Sequence, residues 1–316
     1  SVVDDVDPVT GDVANNGYTN DATPTLNGEA TANAIVNIYD GKALIGSTTA
    51  SADGKWSFTP AQALADGEHD FTATVVTAAA GESAPTDVWV VNIDTVVPDQ
   101  IDIDAPDNLL VYDDVAPIEG YINNGGVTND AEPTFSGHNQ QPGNIITISE
   151  NGAALGTALV QADGSWSFTP TTPLADGAHE VTLTATDEAG NTSEPSTPFD
   201  FTVDTVAPDS TTDDTLLDDV GPIVGPIASG DTTDDNQPTF NGKGEPGATV
   251  IINDNDEAIG SAVVGPDGEW SFTPETPLDD GEHSFNTVVV DEAGNESAPS
   301  DSIDFVVDTV GQMVSI

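Results

Sequence analysis

Apolar residues in this chain fall in short runs that alternate with polar ones, and clusters of Gly, Asn, Asp and Pro close each run. Alternation of that period places successive side chains on opposite faces of a pleated strand. Over the first hundred residues it predicts strands at 2–6, 24–28, 34–39, 43–50, 56–59, 68–76 and 87–93. No run with helical periodicity survives the prolines and glycines, so helices are not expected. Trp56 and Phe58 alternate with Lys55 and Ser57, which puts both aromatics on one inward face.

The same pattern occurs three times. Asp53-Gly54-Lys55-Trp56-Ser57-Phe58-Thr59-Pro60 returns from Asp163 to Pro170 around Trp166 and from Asp267 to Pro274 around Trp270. Other markers keep phase with it: Asp-Asp-Val at Asp4, Asp113 and Asp218, an acidic turn at Asp21, Asp130 and Asp235, a Gly-x-His turn after Asp66, Asp176 and Asp280, and Asp-Thr-Val at Asp94, Asp204 and Asp308. A period of roughly a hundred residues is the length of a domain rather than of a solenoid turn. Domains are therefore expected over 1–96, 97–206 and 207–316, with extra lead-ins at 98–111 and 208–217 ahead of the second and third Asp-Asp-Val. The first copy starts almost at that motif, as an excerpt of a longer array would. About seven short strands per unit is the count of an immunoglobulin-type sandwich. The expected fold class is all-β, three tandem immunoglobulin-like β-sandwich domains in an extended rod.

Composition changes this picture in one respect. Fifty-six acidic residues face three lysines and no arginine, for a formal charge of -53. Charge of that size with low hydrophobicity is a signature of disorder, but the hydrophobic content is 36% and is patterned. A folded chain must then crowd carboxylates with almost no basic partner, which destabilises the compact state unless cations bind. Calcium is the expected cofactor, because hard divalent cations take carboxylate and carbonyl oxygens. Nucleic acid is excluded as a partner for want of a basic footprint, and membrane insertion for want of an apolar span. Without cysteine there is no disulfide, zinc thiolate or thiol nucleophile.

Catalysis is not expected. His69, His179 and His283 occupy the same turn of each copy, and a base repeated in three equivalent domains reads as structural. His138 stands alone. No phosphate loop, zinc helix or nucleophile elbow occurs. Trp89 aligns with Phe199 and Ile303 and is expected in the core. Asp254-Asn255-Asp256 begins like an EF-hand, but Ile259 stands where that loop needs glycine, so a hairpin turn is predicted.

Asp-Gly-x-Trp-Ser-Phe-Thr-Pro, Leu-Ala-Asp-Gly-x-His, Asp-Glu-Ala-Gly-Asn and Asp-Thr-Val-x-Pro-Asp together resemble the bacterial immunoglobulin-like repeats of giant type I-secreted adhesins, over the whole chain. The resemblance implies an extracellular, cell-surface rod stiffened by calcium at and near its junctions. It also implies neighbouring repeats as partners and attachment to host cells through the parent protein. Topology points to the same places. The loop before the last strand should lie at each domain's N-terminal pole, which assigns Asp187, Glu188 and Asn191, and Asp291, Glu292 and Asn295, to internal junctions. Asp94 and Asp99, or Asp204 and Asp209, face them, with Asp21 and Asp130 at the C-terminal pole of the domain before. The alternative is that these residues simply form turns, as Asp, Asn and Gly do elsewhere. Asp113 and Asp114, and Asp218 and Asp219, make a second cluster with Asp4 and Asp5, or else charges that guard a strand edge. The first copy has Thr77-Ala78-Ala79-Ala80-Gly81 in place of the acidic loop and should lack the site. The expected function is a calcium-rigidified spacer of an adhesin. The rival is direct binding of a host-cell glycan, for which the tyrosines Tyr18, Tyr112 and Tyr121, outside the inward register, are the residues to watch.

Overall fold

The computed structural model describes residues 1–78, 80–221 and 224–310, and the described residues form strands, turns and loops with no helix. Packing gathers the chain into two compact units. Ser1–Leu109, Ser136–Phe168 and Val181–Pro198 make the first, and Leu110–Phe135, Thr169–Glu180 and Phe199–Ile316 the second.

In the first unit, the first repeat is two sheets. One runs Gly11–Val13, Val2–Asp4, Thr25–Glu29, Lys55–Phe58, and the other Gly17–Thr19, Trp89–Ile93, Gly67–Thr77, Ile35–Asp40, Ala43–Thr49. Val2, Leu26, Val36, Ile38, Phe71 and Val91, drawn from both sheets, share one buried cluster. All seven predicted strands of this repeat are present, with ends moved by a residue or two. Three short ones were not predicted: Gly11–Val13, Gly17–Thr19 and Gly81–Glu82. Two or three residues are too few to display a period, and Gly17–Thr19 pairs in parallel with Trp89–Ile93, far along the chain.

In the second unit, the third repeat has the same order. Gly225–Ile227, Thr212–Asp218, Thr239–Lys243 and Glu269–Phe272 form one sheet, and Thr232–Thr233, Ile303–Val307, Gly281–Val290, Thr249–Asp254 and Glu257–Val263 the other. Strands of the middle repeat are divided between the units. In the first, Ile145–Glu150 pairs with Ala153–Leu159 and with residues 181–186 of strand Gly177–Thr186. In the second, Leu110–Asp113 pairs with Gly120–Ile122, and Gly126–Thr128 runs parallel to Phe199–Val203.

Trp166 and Trp270 are 2% and 4% exposed, as the strand register requires. Trp56 and Trp89 instead pack on the first repeat's core from its margin and stay half-buried. Asn255 and Asp256 have φ of 52° and 66° between paired Asp254 and Glu257, which is a tight two-residue hairpin turn and not a cation loop. Tyr18, Tyr112 and Tyr121 are exposed. Among the described residues no helix is long and apolar enough to cross a membrane.

Candidate cation sites at the repeat junctions

Strand Gly177–Thr186 ends in Asp187, whose carboxylate organises the loop that follows. Its Oδ1 accepts the amides of Ala189 and Asn191 at 2.9 Å, and its Oδ2 accepts Asn191 Nδ2 at 2.9 Å. The same Asn191 amide donates to the Asp94 carbonyl at 2.8 Å, across to the preceding repeat. Gly190 has φ +96°, and a Cβ there would meet Val9 Cγ2 at 3.0 Å, so glycine is needed both for the turn and for the close approach. Asp291 repeats the arrangement: its Oδ1 accepts the amides of Gly294 and Asn295 at 2.8 Å, and Asn295 Nδ2 donates to the Asp204 carbonyl at 2.8 Å. Both acidic loops thus sit against the linker of the repeat before, where topology placed them. At the aligned position of the first repeat, Gly81–Glu82 turns back onto Val76 and Thr77. Ala79 lies outside the described residues.

Asp94, Asp99, Asp187 and Glu188 line one open cleft of about 490 Å³ with Tyr18 and Asn144. No basic residue lines it. The second junction differs. Its cleft of about 320 Å³ is lined by Pro117, Asn129, Ala207, Gly294, Asn295 and Glu296, while Asp209 and Glu292 are exposed and not part of it. Asp66 and Asp176 hold the linkers, accepting the amide and hydroxyl of Thr95 and of Thr205.

The structure joins two sets of residues that the sequence kept apart. Asp113 accepts the Thr128 hydroxyl and, at 2.8 Å, the Val115 amide. Thr128 Oγ1 accepts the Asp130 amide at 3.0 Å, and Asp130 Oδ1 the Glu132 amide at 2.7 Å. Asp113 and Asp130 are each 4% exposed, with Asp114 exposed beside them. Asp4, Thr19 and Asp21 form the same relay in the first repeat. Asp218, Thr233 and Asp235 form it in the third, where the Asp219 amide reaches Asp235 Oδ2 at 3.3 Å. In the first two repeats that second oxygen, Asp21 Oδ2 or Asp130 Oδ2, is buried with no hydrogen-bond partner, as are Asn20 Oδ1 and Asn129 Oδ1. Nothing in the local sequence marks these threonines and asparagines as part of a site. A recurring spacing of 15 residues between Asp-Asp-Val and threonine was the available signal.

Burial raises the Asp130 carboxyl above its ordinary pKa, and the charges of Asp113 and Asp114 add to it against the Glu132 amide. The Asp114 amide acts on it without closing a hydrogen bond. A buried acceptor without a donor is costly, and a carboxylate more so. Oxygen-only donors with uncompensated negative charge fit a hard cation. Among the described residues no three His, Cys, Asp or Glu side chains converge as a ready-made centre. A calcium ion here would thus draw on amide and carbonyl oxygens as well as carboxylates.

The histidines are turn staples. His69 Nε2 meets the Ala65 carbonyl at 2.8 Å and Nδ1 meets Asp40 at 2.7 Å, and His283 bridges Asp279 and Asp254 in the same way. A carbonyl only accepts, so with Asp ionised both ring nitrogens donate and the ring is cationic. Burial pulls the two pKa values down, but the carbonyl and the aspartate more than reverse it, leaving both raised. His179 Nε2 likewise meets the Ala175 carbonyl, at 2.7 Å.

Raised histidines bind protons more tightly folded than unfolded, so their stabilisation is complete below the unfolded pKa and is lost as pH rises through the folded one. Asp130 and Asp214, also raised, lend stability as pH falls through their folded values. With chelator present, the melting temperature should therefore rise as pH is lowered from 8 to about 5. A maximum at neutral pH, followed by a fall, would contradict the assignment of these four groups.

No curated protein matches the sequence. Among solved structures, the chain is similar to fibronectin(III)-like modules of CbhA from Clostridium thermocellum, at 18% identity over 64% of this chain and 93% of that one, TM-score 0.35. It is also similar to a tetra-tandem repeat from the extending region of a large adhesion protein, at 22% identity over 94% and 72%, TM-score 0.25. A third, SGBP-B of the Bacteroides ovatus mixed-linkage glucan utilization locus, solved with a heptasaccharide, shows 14% identity over 98% and 70%, TM-score 0.21. Likenesses of this size decide nothing about function. A family profile, the bacterial Ig-like domain, matches three times, over residues 2–95, 114–205 and 223–309. With most of its length covered by the three matches, the chain belongs to the bacterial Ig-like domain family.

Proposed function

We propose that this chain is a calcium-rigidified spacer of an extracellular bacterial adhesin, with no catalytic role of its own. The observation that carries the proposal is the buried, partnerless carboxylate oxygen of Asp21 and of Asp130, in a chain of formal charge -53. Asp113, Asp114 and Asp130, with their counterparts Asp4, Asp5 and Asp21 and Asp218, Asp219 and Asp235, would hold one class of ion. Asp94, Asp99, Asp187 and Glu188 would hold another at the first junction, and Asp204 with Asp291 and Asn295 at the second. Bound calcium supplies positive charge that three lysines cannot. Fixing linker and acidic loop to one ion stiffens the junction, so that three domains form a rod whose function is reach. Affinity that depends on folded geometry also couples folding to ion concentration. The repulsive chain stays loose in a low-calcium cytoplasm, passes through type I secretion, and folds outside.

Host-cell attachment then belongs to the parent protein. The finer likeness, to the giant non-fimbrial adhesin SiiE, rests on the same Asp-Gly-x-Trp-Ser-Phe-Thr-Pro and Asp-Glu-Ala-Gly-Asn motifs.

Small-angle scattering in millimolar calcium and then in chelator tests the proposal. The expected result is a maximum dimension that shortens, or a profile that becomes flexible, on chelation. Identical curves would remove calcium from the account. They would also favour the second reading, a glycan site, for which there is a specific observation. Tyr112 and Tyr121 are exposed and pack edge-to-face at 5.3 Å in the middle repeat, where the other repeats have Val3 with Asp12 and Leu217 with Pro226.

A further inference from the structure

Asn144, immediately ahead of strand Ile145–Glu150, is 7% exposed. Its backbone is satisfied, the amide donating to the Gln141 carbonyl at 3.1 Å and the carbonyl accepting the Val160 amide at 2.8 Å. Its side-chain amide, however, has no hydrogen-bond partner among the described residues. A buried amide without a partner is costly. Fold does not require it either, because Ala34 and Ala248 stand at this place in the other repeats and are buried there. The space that Asn144 lines is the cleft of about 490 Å³ at the first junction.

The rest of that lining is equally particular to this junction. Glu188 Oε1 lies 3.1 Å from where a Cβ on Gly143 would stand, which brings its carboxylate beside Asn144. Gly247, the counterpart of Gly143, has nothing within 4 Å of that position. Among the described residues no hydrogen bond reaches the carboxylates of Asp99 and Glu188, and both are exposed. Tyr18, exposed on the same lining, has Val127 and Thr232 as counterparts, and Val96 and Val97 add exposed apolar surface. A metal ion takes oxygens and makes no use of a phenol ring or valines. Apolar walls with a few convergent polar groups, in a volume within roughly 300–1,000 Å³, suit an organic ligand.

We propose that this cleft binds the arginine side chain of a partner protein. The guanidinium meets the free carboxylates of Asp99 and Glu188 and the Asn144 side-chain oxygen, while Tyr18 and the valines cover its flat face and hydrocarbon stem. Anionic ligands are repelled, since no basic residue lines the cleft. Among cations, arginine offers a fork of donors matched to carboxylates and a planar face that stacks on an aromatic ring, neither of which an ammonium has. A second copy of this chain cannot be the occupant, because it contains no arginine. The site shares carboxylates with the proposed first-junction ion but does not rest on it.

The test is an amide NMR titration of the full chain with the capped tripeptide Gly-Arg-Gly, beside its lysine and citrulline counterparts. It is made in chelator, so that its failure and that of the calcium reading are separate results, and in about 0.15 M salt, which screens diffuse attraction to surface carboxylates. The arginine peptide should shift the signals of Tyr18, Asn144 and Glu188 together and to saturation. The lysine peptide should bind several-fold more weakly, and the neutral citrulline peptide should not saturate. Asn144→Ala should weaken the arginine peptide roughly tenfold, by removing an acceptor for a charged donor. Tyr18→Val should weaken it roughly threefold, by removing the ring face. Each variant carries a residue that another repeat has at that place, so both should melt as the wild type does. Equal affinity for arginine and lysine peptides, or variants that bind as the wild type does, would overturn the proposal and leave only diffuse attraction to an acidic surface.

Discussion

Asp113→Ala should destabilise the middle repeat by about 2–4 kcal/mol in chelator, because it strips a charged acceptor from two buried donors. Those donors are the Thr128 hydroxyl and the Val115 amide, and Thr128 in turn holds the Asp130 amide. Relief of repulsion against Asp130 offsets part of the loss, which is why the figure stays below the sum of the bonds. At about 4–8 °C per kcal/mol for a domain of this length, a fall of roughly 10–25 °C is expected. Asp113→Asn separates the two roles of the group. It keeps an acceptor and removes the charge, so in chelator it should cost less than about 1 kcal/mol. In millimolar calcium the proposed function predicts the reverse: the wild type should gain stability by mass action, about 2.7 kcal/mol at a hundredfold excess over the dissociation constant, and Asp113→Asn should gain little of it. Melting curves of the three proteins, with and without calcium, distinguish these roles. An asparagine variant with the full calcium increment would show that Asp113 is not a ligand. An alanine variant within about 1 kcal/mol of wild type would show that the relay carries no structural load.

Strand-level structure was legible because it depends on a local period. Trp56 and Phe58, or Ile35 through Tyr39, declare their faces within a few residues, and all seven strands so read in the first repeat are there. Gly17–Thr19 is not, since its pairing to Trp89–Ile93 is a fact of tertiary structure. The acidic loops were legible for a different reason. Alternating strand direction fixes the pole at which a loop emerges, and Asn191 and Asn295 do reach the carbonyls of Asp94 and Asp204.

The buried relay was only half legible. Asp113 and Asp130 were each singled out, but assigned to different places, because nothing local reveals that the end of one strand meets the turn after another. Charge alone could not distinguish a strand-edge guard from a buried acceptor either. Burial does so, since a carboxylate that guards an edge is exposed, as Asp114 is, and Asp113 is not. Trp56 shows a complementary limit. Its inward register is legible in the sequence, but its half-buried state is not, because a local period says nothing about what packs over a side chain.

Phe240→Ala should be the most damaging single change, at about 3–5 kcal/mol, or roughly 15–30 °C in the melting of the third repeat. Phe240 is fully buried on strand Thr239–Lys243, which is paired on both sides. Its ring meets Trp270 edge-on at 5.2 Å and Phe285 at 5.8 Å. Removing it leaves a cavity that strands held on both edges close only in part, which places the cost toward the upper end for such substitutions. Phe240→Leu should cost far less, about 1 kcal/mol, because Leu26 fills the corresponding place in the first repeat and is itself buried. Trp270 and Phe285 belong to the same repeat as Phe240, so calorimetry in chelator should show one transition splitting away to lower temperature while the rest of the trace stays in place. A trace that moves as a whole would mean that the repeats unfold as one cooperative block without any ion. In calcium the split should narrow if the proposed function holds, because an ion bound by Asp204, Asp291 and Asn295 would be released when the third repeat opens, and its binding free energy would add to the stability of that repeat. A split of the same width in both conditions would leave the second junction without a structural ion, whatever the ion does elsewhere in the chain.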